Sequence, residues 1–243
     1  MINISKGLDL PISGKPDLRV ADIPSVSSVS LLSNDFIGMK PTMLVREGDE
    51  VKVGTKLFED KKNEGIFFTS PAGGEIKSIN RGDKRKFLSV EIEINQIEQF
   101  IEYEFNDSIE NTKDILISSG LWNSFRTRPF NRTPAIDDKP NAIFINCCDT
   151  NPLSVDPLNI INFDKNYFDD GLKLITKLFD CDIHLCYQSD DFDCTNPLII
   201  YHQFCGPHPS GLSSTHIANI YPVNLERIVW TIGYQDIISI GYL

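Results

Sequence analysis

The stretch from Ser119 to Pro152 constrains the fold of this chain more than any other. It runs from a helix end through a basic loop into a short apolar run, Ala142–Asn146, and closes in a polar turn. Such a run is typical of a buried parallel strand, and in open α/β sheets ligands sit beyond the carboxyl ends of these strands. The loop, however, carries Trp122 and other bulky side chains where a phosphate cradle needs bare backbone. The pattern therefore indicates a nucleotide-binding type of fold and argues against nucleotide binding.

The elements around this stretch predict an α/β domain over residues 101–243. The predicted helices are Ser108–Ser118 with Gly120 as its C-terminal cap, Asn166–Phe179, and a last helix capped by Asn224 that carries Leu225, Ile228, Val229, Ile232, Ile237 and Ile240 on its apolar side. The predicted strands are Ala142–Asn146, Asp182–Tyr187 and Leu198–Phe204. The strand–helix–strand order predicts a βαβ unit and a parallel, Rossmann-like sheet.

Residues 1–100 predict a compact β unit made of short strands separated by Gly and Pro. The predicted strands are Ser28–Leu32, Lys56–Glu59, Ile66–Thr69, Gly74–Ile79 and Ser89–Ile94. The segment from Val45 to Ile76 resembles the barrel-sandwich domains of the biotinyl and lipoyl type. Lys61 and Lys62 lie near the tip where such carriers are modified, but their flanking residues do not match the usual context. A structural barrel is favoured, and a covalent carrier stays as an alternative.

Composition excludes several classes of function. The chain of 243 residues has a formal net charge of −11, which disfavours nucleic acid and anionic lipid as partners. It has no apolar run long enough for a membrane-spanning helix, and its start lacks the apolar core of a signal peptide. The six cysteines form no C-x-x-C pair, so free thiols in the cytoplasm are expected. The basic cluster between Arg81 and Lys86 is interpreted as a solvated loop.

Few residues offer catalytic chemistry. The sequence contains no serine nucleophile motif, no Walker loop and no paired carboxylates, so no catalytic residue is predicted. His208 and His216 lie on a Gly- and Pro-rich loop and could polarise a quinone carbonyl, although a rigid turn is the favoured interpretation. Cys205 has C-x-x-H spacing to His208, with His202 nearby, but a zinc site needs four ligands, so no metal site is predicted.

Seven motifs together resemble one family. They are Lys6–Ile12, Phe58–Asn63, Ser119–Trp122, Arg126–Phe130, Asp149–Leu153, Gly206–Leu212 and Gly233–Asp236. Their order and coverage resemble the NqrA family, one of the subunits of the Na⁺-translocating NADH:quinone oxidoreductase. Chains of that family continue well past the position of Leu243, so the resemblance implies that this chain is an N-terminal portion and that the family's C-terminal part is absent.

The resemblance also implies a degenerate flavin/NADH pocket. More distantly, the family resembles the flavin- and NADH-binding subunit of complex I and the C subunit of the Rnf complex, where a glycine-rich loop binds phosphates. Only one glycine of that loop remains here, and the acidic turn after the strand is reduced to one acid and one amide. The candidate residues for this remodelled pocket are Gly120, Trp122, Arg126, Arg128, Asn146, Asp149 and Asn151.

By the same resemblance, the expected role is that of a peripheral, quinone-associated subunit on the cytoplasmic side of the bacterial inner membrane. Its expected partners are the other subunits of the sodium-pumping complex, especially the membrane subunits, and ubiquinone. The FMN, riboflavin, FAD and iron–sulfur cluster of the complex are expected on other subunits, with no cofactor bound by this chain. The alternative is an independent flavin- or NADH-binding oxidoreductase domain.

Overall fold

A computed structural model describes residues 1–14, 16–22, 24–95, 99–106 and 108–243. The chain divides into two compact units. The α/β unit comprises Met1–Val20, Ser124–Asn131 and Lys139–Leu243, and the barrel unit comprises Ala21–Asn123 and Arg132–Asp138. The first twenty residues thus belong with the α/β unit, because their strand pairs there, whereas the helix after residue 108 belongs with the barrel unit.

The secondary structure elements are numbered in chain order. The strands are β1 Ile2–Asn3, β2 Ser28–Leu32, β3 Pro41–Met43, β4 Glu50–Val51, β5 Lys56–Asp60, β6 Phe67–Thr69, β7 Gly74–Arg81, β8 Phe87–Ile94, β9 Arg126–Arg128, β10 Ala142–Cys147, β11 Asp182–Tyr187, β12 Ile199–Cys205 and β13 Val229–Gly233. The α-helices are α1 Ile109–Ser118, α2 Pro157–Phe163, α3 Lys165–Leu178, α4 Ser213–Ile220 and α5 Tyr234–Tyr242, with short 3-10 turns at Ser33–Asp35, Asp83–Arg85 and Leu121–Ser124.

The barrel unit is built from two small antiparallel sheets. One has the strand order β2-β8-β7-β4 and the other β3-β5-β6. Alternating apolar residues supply its core, in which the rings of Phe58 and Phe68 stack with centroids 4.8 Å apart. Helix α1 begins at the N-cap Ser108, whose side chain accepts a hydrogen bond from the Asn111 amide.

The α/β unit is centred on strand β10. Its residues Ala142–Ile145 are fully buried because helices or loops cover both faces of the sheet. Among the described residues the sheet has the order β1-β12-β11-β10-β13-β9, in which only the edge strand β9 runs antiparallel. The chain proceeds from β10 outward to β11 and β12, and then returns to β13 on the other side of β10. The strand order therefore reverses between β10 and β13, which is the usual ligand position of this fold.

The predicted fold class is confirmed: the chain combines a β unit of barrel-sandwich type with a mixed α/β unit. One predicted element was wrong. The last helix, expected from Asn224 onward, is instead strand β13 followed by helix α5. Val229 and Trp230 are both fully buried as members of a central strand, whereas Leu225 is 80% exposed. A run that is buried on both faces satisfies helical and strand spacing equally well, so the spacing did not decide.

Within the described residues, no helix combines the length and the apolar character that crossing a bilayer requires.

Candidate functional site

The carboxyl ends of β10, β12 and β13 bring most of the predicted site residues of the α/β unit to one edge of its sheet. Asn146, at the end of β10, joins two loops there. Its Nδ2 donates to the Gly211 carbonyl (3.1 Å), and its Oδ1 accepts from the Cys148 amide (3.0 Å). Gly211 has no room for a side chain, since a Cβ would lie 2.7 Å from the Thr150 nitrogen. The loop after β12 is therefore held tightly against the turn after β10.

Asp149 and Asn151 close the turn after β10. The Oδ1 atom of Asp149 accepts from both the amide (2.8 Å) and the Nδ2 (2.7 Å) of Asn151. Tyr234, the first residue of α5, lies in the same electrostatic neighbourhood, because burial first and then the Asp149 carboxylate raise its pKa. Asp149 thus holds the turn through its own neighbour and presents negative charge at the sheet edge.

A cavity of about 450 Å³ opens beside this turn, towards the end of β12. Its lining residues are Leu8, Asp9, Leu10, Thr150, Asn151, Pro152 and His208. His208 is held on two sides: its Nδ1 lies 2.9 Å from the Thr150 hydroxyl, and its amide donates to the Asp9 carboxylate (2.9 Å). Leu8 is 73% exposed at the rim. The His208 cavity therefore combines one imidazole, several polar groups and an aliphatic rim.

The N-terminal segment forms one wall of this cavity because Gly7 has no side chain. A Cβ on Gly7 would lie 2.0 Å from the His208 carbonyl oxygen, so no other residue fits without moving the backbone. The Leu8 amide then donates to the same carbonyl (2.9 Å).

His216, the second predicted quinone candidate, lies in the core of the α/β unit. It is fully buried, and its Nε2 lies 2.7 Å from the Ser210 carbonyl oxygen. Burial lowers the pKa of His216 to about 4, a shift that the Ser210 carbonyl partly opposes. His216 therefore fixes the loop that carries His208, and it does not line the cavity.

The position where strand order reverses is occupied by a carboxylate. Asp236, in the first turn of α5, accepts from the Ser124 hydroxyl at Oδ1 (2.8 Å) and from the Gly233 amide at Oδ2 (3.3 Å). Burial raises its pKa, while the Ser124 and Gly233 hydrogen bonds and then the charge of Arg126 act in the opposite direction. Sequence reasoning missed Asp236, although an acid three residues after a glycine at a helix start is a capping signal.

Arg126 and Arg128 lie on the antiparallel edge strand β9. Burial lowers the pKa of both guanidinium groups, and at Arg126 the Asp236 carboxylate opposes the shift. Arg128 donates to the side chain of Asn131. Both arginines are half-buried in the α/β unit. Arg126 thus contributes the positive charge nearest to the Asp236 cap, and Arg128 is tied to the following loop.

Gly120 and Trp122 belong to the barrel unit, and each has a structural role there. Gly120 ends α1 at a φ of +84°, where a Cβ would lie 2.8 Å from the Thr69 hydroxyl. Trp122 is 2% exposed, and its Nε1 donates to the Pro134 carbonyl (3.0 Å). The seven predicted pocket residues therefore divide between the two compact units, two in the barrel unit and five in the α/β unit.

The remaining sequence candidates have other partners. His202 meets His184, with 3.0 Å between Nε2 and Nδ1. In the part of the chain that the structure describes, no three His, Cys, Asp or Glu side chains are grouped to hold a metal ion. Lys61 and Lys62 lie in the turn between β5 and β6, where the Lys62 ammonium donates to the Gly38 carbonyl (2.9 Å). All six cysteines are free thiols.

Comparison with known families matches both parts of the chain. The model for the NqrA N-terminal barrel-sandwich hybrid domain matches residues 2–95, and that for the NqrA second alpha/beta domain matches residues 108–243. The chain belongs to the NqrA family. The resemblance inferred from the seven motifs is thereby confirmed.

Curated relatives of the NqrA family match along the whole chain. Proteins named as the NqrA subunit of Na(+)-translocating NADH-quinone reductase are 47% identical in Yersinia pseudotuberculosis, 47% in Glaesserella parasuis and 48% in Neisseria meningitidis. Each alignment covers 100% of this chain and 56% of the relative. The chain thus spans little more than half the length of these NqrA proteins.

Proposed function

We propose that this chain acts as part of the NqrA subunit of a sodium-pumping NADH:ubiquinone reductase. Identity of 46–48% along the entire chain to proteins bearing that name is the observation that carries the proposal. In this role it binds the other subunits, especially the membrane subunits, from the cytoplasmic side of the bacterial inner membrane. Six free thiols are consistent with a reducing compartment. FMN, riboflavin, FAD and the iron–sulfur cluster belong to other subunits, and this chain supplies no catalytic residue.

The proposal includes a flavin/NADH pocket that has lost its function. In an open α/β fold the phosphates of a dinucleotide approach a helix N-terminus at the reversal of strand order. At this place Asp236 already accepts from the Gly233 amide, and its carboxylate would repel a phosphate. The residues present therefore do not fit a bound dinucleotide phosphate at α5.

Quinone association is assigned to the His208 cavity. A quinone head group presents two carbonyl acceptors on an apolar ring and carries an aliphatic tail. With Nδ1 engaged by Thr150, Nε2 is the ring nitrogen of His208 that would donate to a carbonyl. Leu8 and Leu10 at the rim would contact the tail. The volume of about 450 Å³ is within the range of small-molecule sites.

Titration of the purified chain with a short-chain ubiquinone tests the quinone assignment. We expect saturable binding that Leu8→Ser and Leu10→Ser both weaken, because each removes aliphatic contact at the rim. Leu225→Ser is the matched control, since Leu225 is 80% exposed and does not line the cavity. Equal loss in all three variants, or no saturation, would contradict the assignment.

The visible spectrum of the same preparation tests the cofactor part separately. A flavin band near one per chain, or saturable NADH binding, would replace the degenerate pocket with an independent flavin or NADH domain. Reconstitution into a complex that lacks its NqrA protein tests membership: sodium-dependent quinone reduction is expected to require this chain together with the remainder of NqrA.

A further inference from the structure

A group of five basic side chains surrounds a second cavity, in the barrel unit. Its volume is about 510 Å³, and Lys40, Arg81, Lys84, Arg85 and Lys86 all contribute to its lining. This group, here called the basic face, joins the β7–β8 turn to the segment before β3. All five side chains are exposed.

The charge of the basic face is not neutralised by the chain. Asp35 and Asp83 occur in the same segments, but neither lines the cavity. Within the described ranges, the ion pairs involve other cations such as Lys77 and Lys165, and none of the five. The Arg81 guanidinium only reaches the Arg85 carbonyl (3.5 Å). An uncompensated cluster of cations on a chain of net charge −11 favours an anionic partner at this place.

Exposed aliphatic side chains accompany these cations. Ile37 is 59% exposed between the lining residues Phe36 and Gly38, and Leu88, next to the lining residue Phe87, is 44% exposed. Leu88 also packs on the β7–β8 turn, where a Cβ on Gly82 would lie 3.4 Å from it. Cations together with protruding aliphatic groups match the two layers of a membrane interface, the phosphates and the acyl chains. An acidic protein segment would use the cations and leave the aliphatic groups without a role.

We infer that the basic face binds an anionic phospholipid surface, with lipid phosphates at the cations and Ile37 and Leu88 at the acyl boundary. The net negative charge of the chain does not prevent this contact, because exposed charges beyond about 8–10 Å are screened at physiological salt. The inference does not depend on the quinone assignment, since it concerns the other compact unit.

Flotation of the purified chain with two kinds of vesicle tests the inference. One kind contains phosphatidylcholine alone, and the other contains equal parts of phosphatidylcholine and phosphatidylglycerol. We expect binding only to the second kind, and loss of that binding at high salt. The triple variant Lys84→Asn, Arg85→Asn, Lys86→Gln should bind about a hundredfold more weakly, since each basic residue contributes roughly fivefold at an anionic surface. Asn suits the positive φ of Lys84 and Arg85 (53° and 61°), so the turn is preserved.

A control triple variant removes the same charge elsewhere: Lys6→Asn, Lys52→Asn, Lys139→Gln, all at exposed positions. It should bind as the unmodified chain does, whereas Ile37→Ser and Leu88→Ser should weaken binding. Equal loss in both triple variants would overturn the inference. Displacement by soluble glycerol phosphate would indicate a small-anion site, and binding to polyglutamate without binding to vesicles would indicate an acidic protein partner. Either result would also overturn it.

Discussion

Two places on the same sheet edge have been treated in opposite ways. At the end of β13, where the strand order reverses, the Asp236 carboxylate takes the helix N-terminus and the chain satisfies its own polar groups. At the end of β12, the turn and loop leave a cavity of about 450 Å³ with His208 in its wall. The usual ligand position is thus filled, and the space for a ligand lies two strands away from β10, on the opposite side from β13.

The difference shows that fold position alone does not locate a site. What matters is which groups at the edge already have partners. Asp236 has two hydrogen bonds and the charge of Arg126, whereas the cavity residues hold His208 by one ring nitrogen. Four measurements can break or sharpen this comparison.

The largest effect is expected at His216, beneath the His208 loop. Its pKa is lowered from 6.5 to about 4 in the folded protein, so the folded state favours the neutral ring. The stability from this preference is complete above the unfolded pKa, near 6.5, and is lost as the pH falls towards 4. It amounts to about 3 kcal/mol. Denaturant unfolding across this range should show a steeper loss for the unmodified chain than for His216→Leu. Parallel curves would contradict the pKa assignment.

Removal of the Asp236 cap is expected to cost about 2 kcal/mol. Asp236→Ala leaves the Gly233 amide and the Ser124 hydroxyl without this acceptor, and it removes the charge opposite Arg126. Asp156→Ala is a matched control, because Asp156 caps α2 through the Leu158 amide (2.9 Å) but is exposed. The control should cost about 1 kcal/mol. If the two variants lose equal stability, the buried cap has no special weight.

Loss of the imidazole in the cavity is expected to weaken short-chain ubiquinone binding about tenfold, the worth of one hydrogen bond. His208→Ala is compared with His208→Gln, whose amide can still donate to a carbonyl and should recover part of the affinity. The thermal unfolding midpoint of each variant shows whether the loop remains folded. Unchanged affinity in His208→Ala would remove His208 from the proposed site.

The smallest effect concerns the charge of Asp236 alone. Its pKa is raised in the folded state, mainly by burial, so its stability contribution is complete below the unfolded pKa of about 3.9. That contribution is lost as the pH rises through the folded pKa. Asp236→Asn should therefore gain stability relative to the unmodified chain over this rise, opposite in sign to the slope from His216. Unfolding curves at matched pH values measure the difference, and a constant difference would show that Asp236 is ionised throughout.

Local sequence predicted those parts of the fold that depend on nearby residues. Strand β10 was predicted because an apolar run that short fits only a buried strand beside a polar turn, and α1 because Ser108 and Gly120 mark its ends. The helix expected across Val229 was wrong because burial on both faces hides the period.

The site was less predictable because its contacts join distant segments. Asp236 meets Ser124 more than one hundred residues away, and the wall at Leu8 depends on the pairing of β1 with β12. His208 was noticed as a loop histidine, but neither its cavity nor its contact with Asp9 could be read from spacing.

The pairing of β1 with β12 has a consequence for synthesis of the chain. Ile2 leaves the ribosome first, yet its partner Phe204 follows about 200 residues later. The barrel unit, which ends at Asp138, is complete long before that partner exists. At roughly 5–20 residues per second, the first twenty residues wait ten seconds or more for their place in the sheet. We therefore expect vectorial folding in which the barrel forms early and the oldest segment of the nascent chain is among the last to be ordered.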